Sequence, residues 1–257
     1  MSTEEARVLD AHIENGVLVL AIDRFARRNS MDQTLVNALR EMLWRADRDS
    51  EVKAIVLQGK SGVFCAGSDL GFISTLSLED MGRFEQECGD IGRLIGFVSK
   101  PVVAAVAGFA IGGGFTLAAC CDIVVAGRES RWSMPEVPLG WLTPWGLKPL
   151  IERVGTAQAR RLCYCLEQLD GKQAQAIGLV DYAVNDDEVE AFALQVAAKL
   201  AALPAPAVAA TKRLFAGLML KDAEAIDFEA NRLFVENCRE PAARQTLERK
   251  RKGVAHE

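Results

Sequence analysis

Proton chemistry in this chain has few candidate carriers. The only two histidines are His12 and His256, one near each end. That argues against an imidazole-based catalytic triad and against a histidine-rich metal site, and leaves proton transfer to a carboxylate. One glutamate is well framed for that role. Glu136, in "SMPEVPLG", stands between Pro135 and Val137. Prolines restrict the backbone around it, and an apolar setting raises a carboxyl toward the range where it gives and takes protons near neutral pH. Two other stretches offer backbone donors. In "VFCAGSDL" a glycine leads into Ser68 and Asp69, and in "IGGGFTLAACCD" Gly112–Gly114 run into an apolar helix. Free N–H groups at such corners can converge on one carbonyl oxygen and stabilise the negative charge it acquires. Taken singly, each stretch also has a plain reading: a capped turn for Asp69, close packing for the glycines, a surface loop for Glu136.

Three corners can act together only if the chain stacks them. Buried strands ("AIVLQG", "PVVAAVAG", "DIVVAG") are each followed by a short extended piece ("VFCAG", "FAIGG", "RWSMP") and then by a helix or an approach to one. A strand-strand-helix unit repeated in this way builds a solenoid-like core with its equivalent corners along one edge. Ser68, Gly113 and Glu136 all fall just after the short strand. Upstream, "RVLDAHIENG" and "VLVLAID" read as a hairpin, and Asp32 as the cap of a helix with Leu35, Val36, Leu39, Met42 and Leu43 on one face. Residues 79–98 form a second amphipathic helix. From about 187 the pattern is helical, with segments near 205–216, 222–238 and 240–252 too thin to fold alone. The expected division is a core over 1–195 and a helical oligomerisation region over 196–257.

Composition narrows the function further. Half of the 257 residues are hydrophobic, a quarter are charged, and the net charge is −5, which disfavours nucleic acid as a partner. Seven cysteines without a C-x-x-C pair read as reduced core thiols. "MSTEEARVLD" lacks the basic-then-apolar pattern of a leader, and the long apolar run 101–121 reads as buried core, so a cytoplasmic protein without a membrane span is expected.

"FCAGSDL", "AAVAGFAIGGGFTLAACCDIVVA" and "MPEVPLG", in this order and spacing, resemble the crotonase (enoyl-CoA hydratase/isomerase) superfamily. The likeness extends from "DRFARRNSMD" to "GLVDYAV". It implies an α/β fold, a crotonase-like spiral of repeated strand-strand-helix units with a C-terminal helical region. It also implies homotrimers or dimers of trimers and an acyl-CoA thioester substrate, with no metal and no cofactor beyond the substrate's coenzyme A. By position, the backbone N–H groups of Ser68 and Gly113 become the oxyanion hole and Glu136 the acid–base residue. The resemblance further assigns Arg27, Arg28, Ser30, Ala66, Asp69, Leu70 and Lys250 to coenzyme A, with Lys250 on a tail that reaches a neighbour's cofactor. Trp132, Trp141 and Trp145 surround the Glu136 motif and are candidates for the acyl pocket, core packing being the other reading.

One departure matters. Hydratases of the family carry a glutamate where this chain has Thr116, and a threonine is no general base near neutral pH. Single-glutamate Δ3,Δ2-enoyl-CoA isomerases manage without it and resemble "LGWLTPWGLKPLIERVG" as well, so isomerisation of a 3-enoyl-CoA to the 2-enoyl-CoA leads. The alternatives are hydration, or hydratase-lyase chemistry on a hydroxycinnamoyl-CoA, with Thr116 positioning water or substrate, and a non-catalytic acyl-CoA-binding paralogue.

Overall fold

A computed structural model describes residues 8–254; the first seven residues, part of the stretch read for a leader, and His256 lie outside them. Strand β1 (Leu9–Glu14) pairs antiparallel with β2 (Val17–Ile22), closed by Asn15 and Gly16, both at positive φ, as a two-residue hairpin turn requires. Helix α1 (Gln33–Arg48) starts at Asp32, whose carboxylate accepts the Leu35 N–H at 3.0 Å. Then β3 (Ala54–Gly59) leads to α2 (Leu70–Ile73) and α3 (Leu78–Phe97), β4 (Val102–Val106) and β5 (Phe109–Ile111) to α4 (Gly113–Ala119), and β6 (Ile123–Gly127) and β7 (Arg131–Ser133) to α5 (Glu136–Leu139) and α6 (Leu147–Cys163). After β8 (Leu169–Asp170), α7 (Gly171–Ala176) and β9 (Tyr182–Val184), the chain is helical: α8 (Val189–Ala201), α9 (Ala205–Leu220), α10 (Ala223–Asn237) and α11 (Pro241–Val254).

The main sheet runs β1-β2-β3-β4-β6-β9, parallel from β2 onward. Its inner strands β2, β3, β4 and β6 are largely apolar on both faces, as a covered parallel sheet demands. Val17, Val19, Ala54, Val56, Val103, Ala105 and Val125 face α8, while Leu20, Ile55, Leu57, Ala104, Val106 and Val124 face the large core. The short strands make a second layer, β5-β7-β8, which an isolated parallel bridge between Cys65 and Ala110 extends toward the first repeat. Cys65, Ala110 and Trp132 therefore stand in register, and Ser68, Gly113 and Glu136 follow them along one edge.

The boundary drawn at residue 195 falls inside α8, whose Val189, Ala193 and Ala197 pack on the sheet, so this helix belongs to the core as one piece. All seven cysteines are free thiols, five of them buried. No single helix among the described residues is long and apolar enough to cross a membrane; Asp186–Ala201 with Ala205–Leu220 would be so only as a pair bent by 110°.

Candidate active site

The Ser68 corner is pinned from both sides. Met31 donates its N–H to the Gly67 carbonyl at 2.7 Å and accepts the Asp69 N–H at 2.8 Å. Asp69 caps α2 through the Phe72 N–H at 3.1 Å and pairs with Arg24 at 3.4 Å. Arg24, which the sequence did not single out, also pairs with Asp32 at 2.6 Å and so ties the start of α1 to this corner. Among the described backbone bonds, neither the Ser68 N–H nor the Gly113 N–H has an acceptor. Gly113 opens α4, where the helix itself supplies none.

The two corners touch. Gly67 has φ +86°, and a methyl group there would lie 2.9 Å from the Gly113 nitrogen, covering the donor. The triple glycine answers three different demands. Gly112 has φ +56°, and a side chain on it would meet Glu136 Oε1 at 2.8 Å. Gly113 faces Met31 and Trp145, and Gly114 lies against the Cys65 carbonyl. A side chain at Gly113 would therefore strike protein before substrate; Gly67 is the position that guards the donor.

Glu136 begins α5 and is buried, 6% exposed. Burial pushes its carboxyl from an ordinary 4.5 to about 7; its own backbone N–H and the Thr143 hydroxyl oppose the rise, and the charge of Glu85 adds to it. Glu136 Oε2 and Thr143 Oγ1 are both buried without a completed hydrogen bond. Such groups are costly, and a site that must receive a substrate is where they are kept.

Ser68, Gly113 and Glu136 line one cavity of about 140 Å3, with Thr116, Trp141, Trp145 and Glu85. Thr116 is fully buried, donates its hydroxyl to the Gly113 carbonyl at 3.1 Å, and lies against Gly146. Its proton is thereby committed, leaving only acceptor capacity toward the cavity. Trp132 is elsewhere. It packs edge-on against Phe115, gives its indole N–H to Ser130 at 3.0 Å, and does not line the cavity, because inward residues of β7 face the core. The loop carrying Trp141 and Trp145 is held by α10: Asp227 accepts the Gly146 N–H at 2.9 Å and Asn237 the Leu142 N–H at 3.2 Å.

Sequence reading missed Glu85. It sits on α3 among buried Met81, Phe84, Cys88 and Ile91 and accepts the Trp145 indole N–H at 3.0 Å. Burial raises its carboxyl to about 7, against the Ser68 hydroxyl and the Trp145 N–H. The available signal was a carboxylate on an otherwise apolar helix stripe.

An adjoining cleft of about 480 Å3 shares Ala66, Ser68 and Leu70 with the cavity. Arg27, Arg28, Ser30, Asp69 and Lys250 line it too, together with Arg249. All seven residues the resemblance assigned to coenzyme A thus border one cleft. Lys250 borders the cleft of its own chain, because α11 packs against α2 and α5. A larger groove of about 630 Å3 lies beside α9; its charged side chains Asp122, Glu152, Arg153 and Lys212 are all paired, and it holds no buried unpartnered side-chain polar atom among the described residues.

An enoyl-CoA hydratase/isomerase family model matches residues 12–253. The chain is 34% identical to the 1,2-epoxyphenylacetyl-CoA isomerase of Escherichia coli (strain K12), over 76% of each. It is 32% identical to the mitochondrial methylglutaconyl-CoA hydratase of Homo sapiens over 73% of this chain, which spans 57% of that enzyme's length. The solved structure of Pseudomonas aeruginosa OdaA superposes with a TM-score of 0.82 at 29% identity, covering 95% of this chain and 98% of that one. With the stacked corners, the register of the short strands and these likenesses together, the chain belongs to the crotonase superfamily of enoyl-CoA hydratase/isomerases.

Proposed function

We propose that the chain isomerises a short 3-enoyl-CoA to the 2-enoyl-CoA. The carrying observation is a desolvated Glu136 with an unpartnered oxygen, in a cavity with two free backbone donors and a threonine in place of a second glutamate. The thioester oxygen rests on the Ser68 and Gly113 N–H groups, which hold the enolate formed when Glu136 takes an α proton. Losing one such donor typically costs about 3–4 kcal/mol of transition-state binding. The electron sink is the thioester carbonyl, so the reaction needs no resident metal or redox group.

The relatives' names divide between hydratase and isomerase; Thr116 favours the isomerase reading. Hydration needs a water both held and deprotonated, and the Thr116 hydroxyl is already spent on Gly113. A pure acyl-CoA binder is disfavoured as well, since it gains nothing from a carboxyl buried without a partner. The cavity is small beside the ~300–1,000 Å3 of common ligand sites, which suits a short acyl group between Trp141 and Trp145. Coenzyme A lies in the adjoining cleft, its phosphates toward Arg27, Arg28 and Lys250. Leu214, Phe215, Leu218 and Phe228 on α9 and α10 are exposed and apolar, and we assign them to contacts in a homotrimer or dimer of trimers.

The test offers short 2-enoyl- and 3-enoyl-CoA thioesters and identifies the products. Faster conversion of the 3-enoyl substrate is expected. Efficient hydration of crotonyl-CoA with the 3-enoyl-CoA untouched would overturn the reading.

A further inference from the structure

The cavity has two carboxyls, and each belongs to one donor corner. Glu136 enters from α5 and its Oε1 lies against Gly112, beside the Gly113 N–H. Glu85 enters from α3, engages the Ser68 side chain, and gives Oε2 to the Trp145 indole N–H at 3.0 Å. A thioester oxygen placed between Ser68 and Gly113 therefore has one carboxyl on either side.

Glu85 is 3% exposed in a row of apolar side chains; it accepts the buried Trp145 indole N–H, and no cation faces it among the described residues. The other titratable groups facing the pair are the Cys88, Cys163 and Cys238 thiols, all raised by burial and neutral near pH 7. Burial raises both carboxyls to about 7, and the charge of Glu85 raises Glu136 further, so near neutral pH a state with one of them protonated and the other ionised is within reach.

We propose that Glu85 is the second proton carrier, which delivers a proton to the γ carbon after Glu136 has removed one from the α carbon. This rests on the isomerase reading. In the first half, ionised Glu136 takes the α proton; the C–H electron pair forms the enolate double bond, and the carbonyl π pair moves onto the thioester oxygen held by Ser68 and Gly113. In the second, the oxygen pair returns to the carbonyl and the enolate pair becomes the C2=C3 bond. The C3=C4 π pair bonds the Glu85 proton at C4. Glu85 is left ionised and Glu136 protonated, and one proton passing between them, directly or through solvent, resets the site. No oxidant, reductant or co-reactant enters.

The experiment runs a 3-enoyl-CoA in D2O with the full chain and with Glu85→Gln, following α-hydrogen exchange and product formation separately. Deuterium from solvent is expected at C4 of the wild-type product. Glu85→Gln is expected to keep α exchange within about threefold and to lose isomerisation on the order of 10²–10⁴-fold. Retained exchange itself reports a folded, substrate-binding site. Isomerisation at the wild-type rate in Glu85→Gln overturns the proposal, as does intramolecular transfer of the α hydrogen to C4 in the wild type, which requires no variant. Loss of both activities in a variant that melts no lower than the wild type also overturns it, making Glu85 a support for the Ser68 corner. Absence of both α exchange and isomerised product in the wild type would instead overturn the isomerase reading, and this one with it.

Discussion

Lys212 and Glu136 are both ionisable and both buried, 7% and 6% exposed, and they are treated in opposite ways. Lys212 on α9 donates to the Ile95 carbonyl, the Lys100 carbonyl and Asp122 Oδ2, each at 2.7 Å. Its three ammonium protons have three acceptors, and the group locks α9 to the end of α3 and to the turn before β6. Glu136 keeps one oxygen with no partner and a carboxyl raised to about 7. A buried charge whose bonds are complete is a fastener. One left short is stored free energy, kept where a substrate or a proton will complete it.

The largest effect expected from breaking this contrast is catalytic. Glu136→Gln keeps shape and removes the base, so turnover should fall about 10²–10⁴-fold while thioester binding persists. Steady-state rates and a binding titration check it; near-normal turnover would contradict the assignment. Lys212→Met should do the reverse. It takes the cation from Asp122, which is a quarter exposed and keeps the Val102 N–H, so the loss should lie below the roughly 3–5 kcal/mol of a fully buried pair broken from one side. Denaturant melts should show that loss, with turnover per folded molecule unchanged.

Acidity sharpens the contrast at a smaller scale. Glu136 and Glu85 have folded-state values raised from 4.5 to about 7, so between those limits the folded chain binds more protons than the unfolded one. Stability then falls as pH rises through this window. Treated alone, each group would account for about 3 kcal/mol at most, at 1.36 kcal/mol per unit, and the coupled pair for less than the sum. Glu85→Gln should therefore melt higher than the wild type at pH 8 by some degrees, and no higher at pH 4. A variant less stable at pH 8 would show that Glu85 is a fastener like Lys212. Thr116→Val is the smallest change. It deletes a hydroxyl bonded to Gly113, worth about 1 kcal/mol, and should leave isomerisation within a few-fold. A collapse of activity would assign Thr116 to a water site.

Much of the edge was readable because local rules and the repeat agreed. The Asn15–Gly16 hairpin, the Asp32 cap and the three short extended pieces each carry a residue-level signature, and stacking them in register brought Ser68, Gly113 and Glu136 together. Facing partners were harder. Periodicity gave α3 an apolar stripe but not the wall that stripe meets, so Glu85 passed unnoticed although it breaks the stripe. Proximity in sequence placed Trp132 with Trp141 and Trp145, whereas strand alternation turns it into the core. Lys250 was placed near coenzyme A by resemblance alone; the path of α11 back over α2, which brings it to the cleft of its own chain, depends on long-range packing that no local pattern encodes.

The central claim is that this cavity makes an enolate, with Glu136 as base and the Ser68 and Gly113 N–H groups as its electrostatic support. Its most direct test is α-hydrogen exchange of butyryl-CoA in D2O. That thioester has no double bond to move or hydrate, so exchange reports the first proton transfer alone. Deuterium should enter at C2 with the wild type and at least about 10²-fold more slowly with Glu136→Gln. No exchange by the wild type while the thioester is bound, or undiminished exchange by Glu136→Gln, would contradict the account.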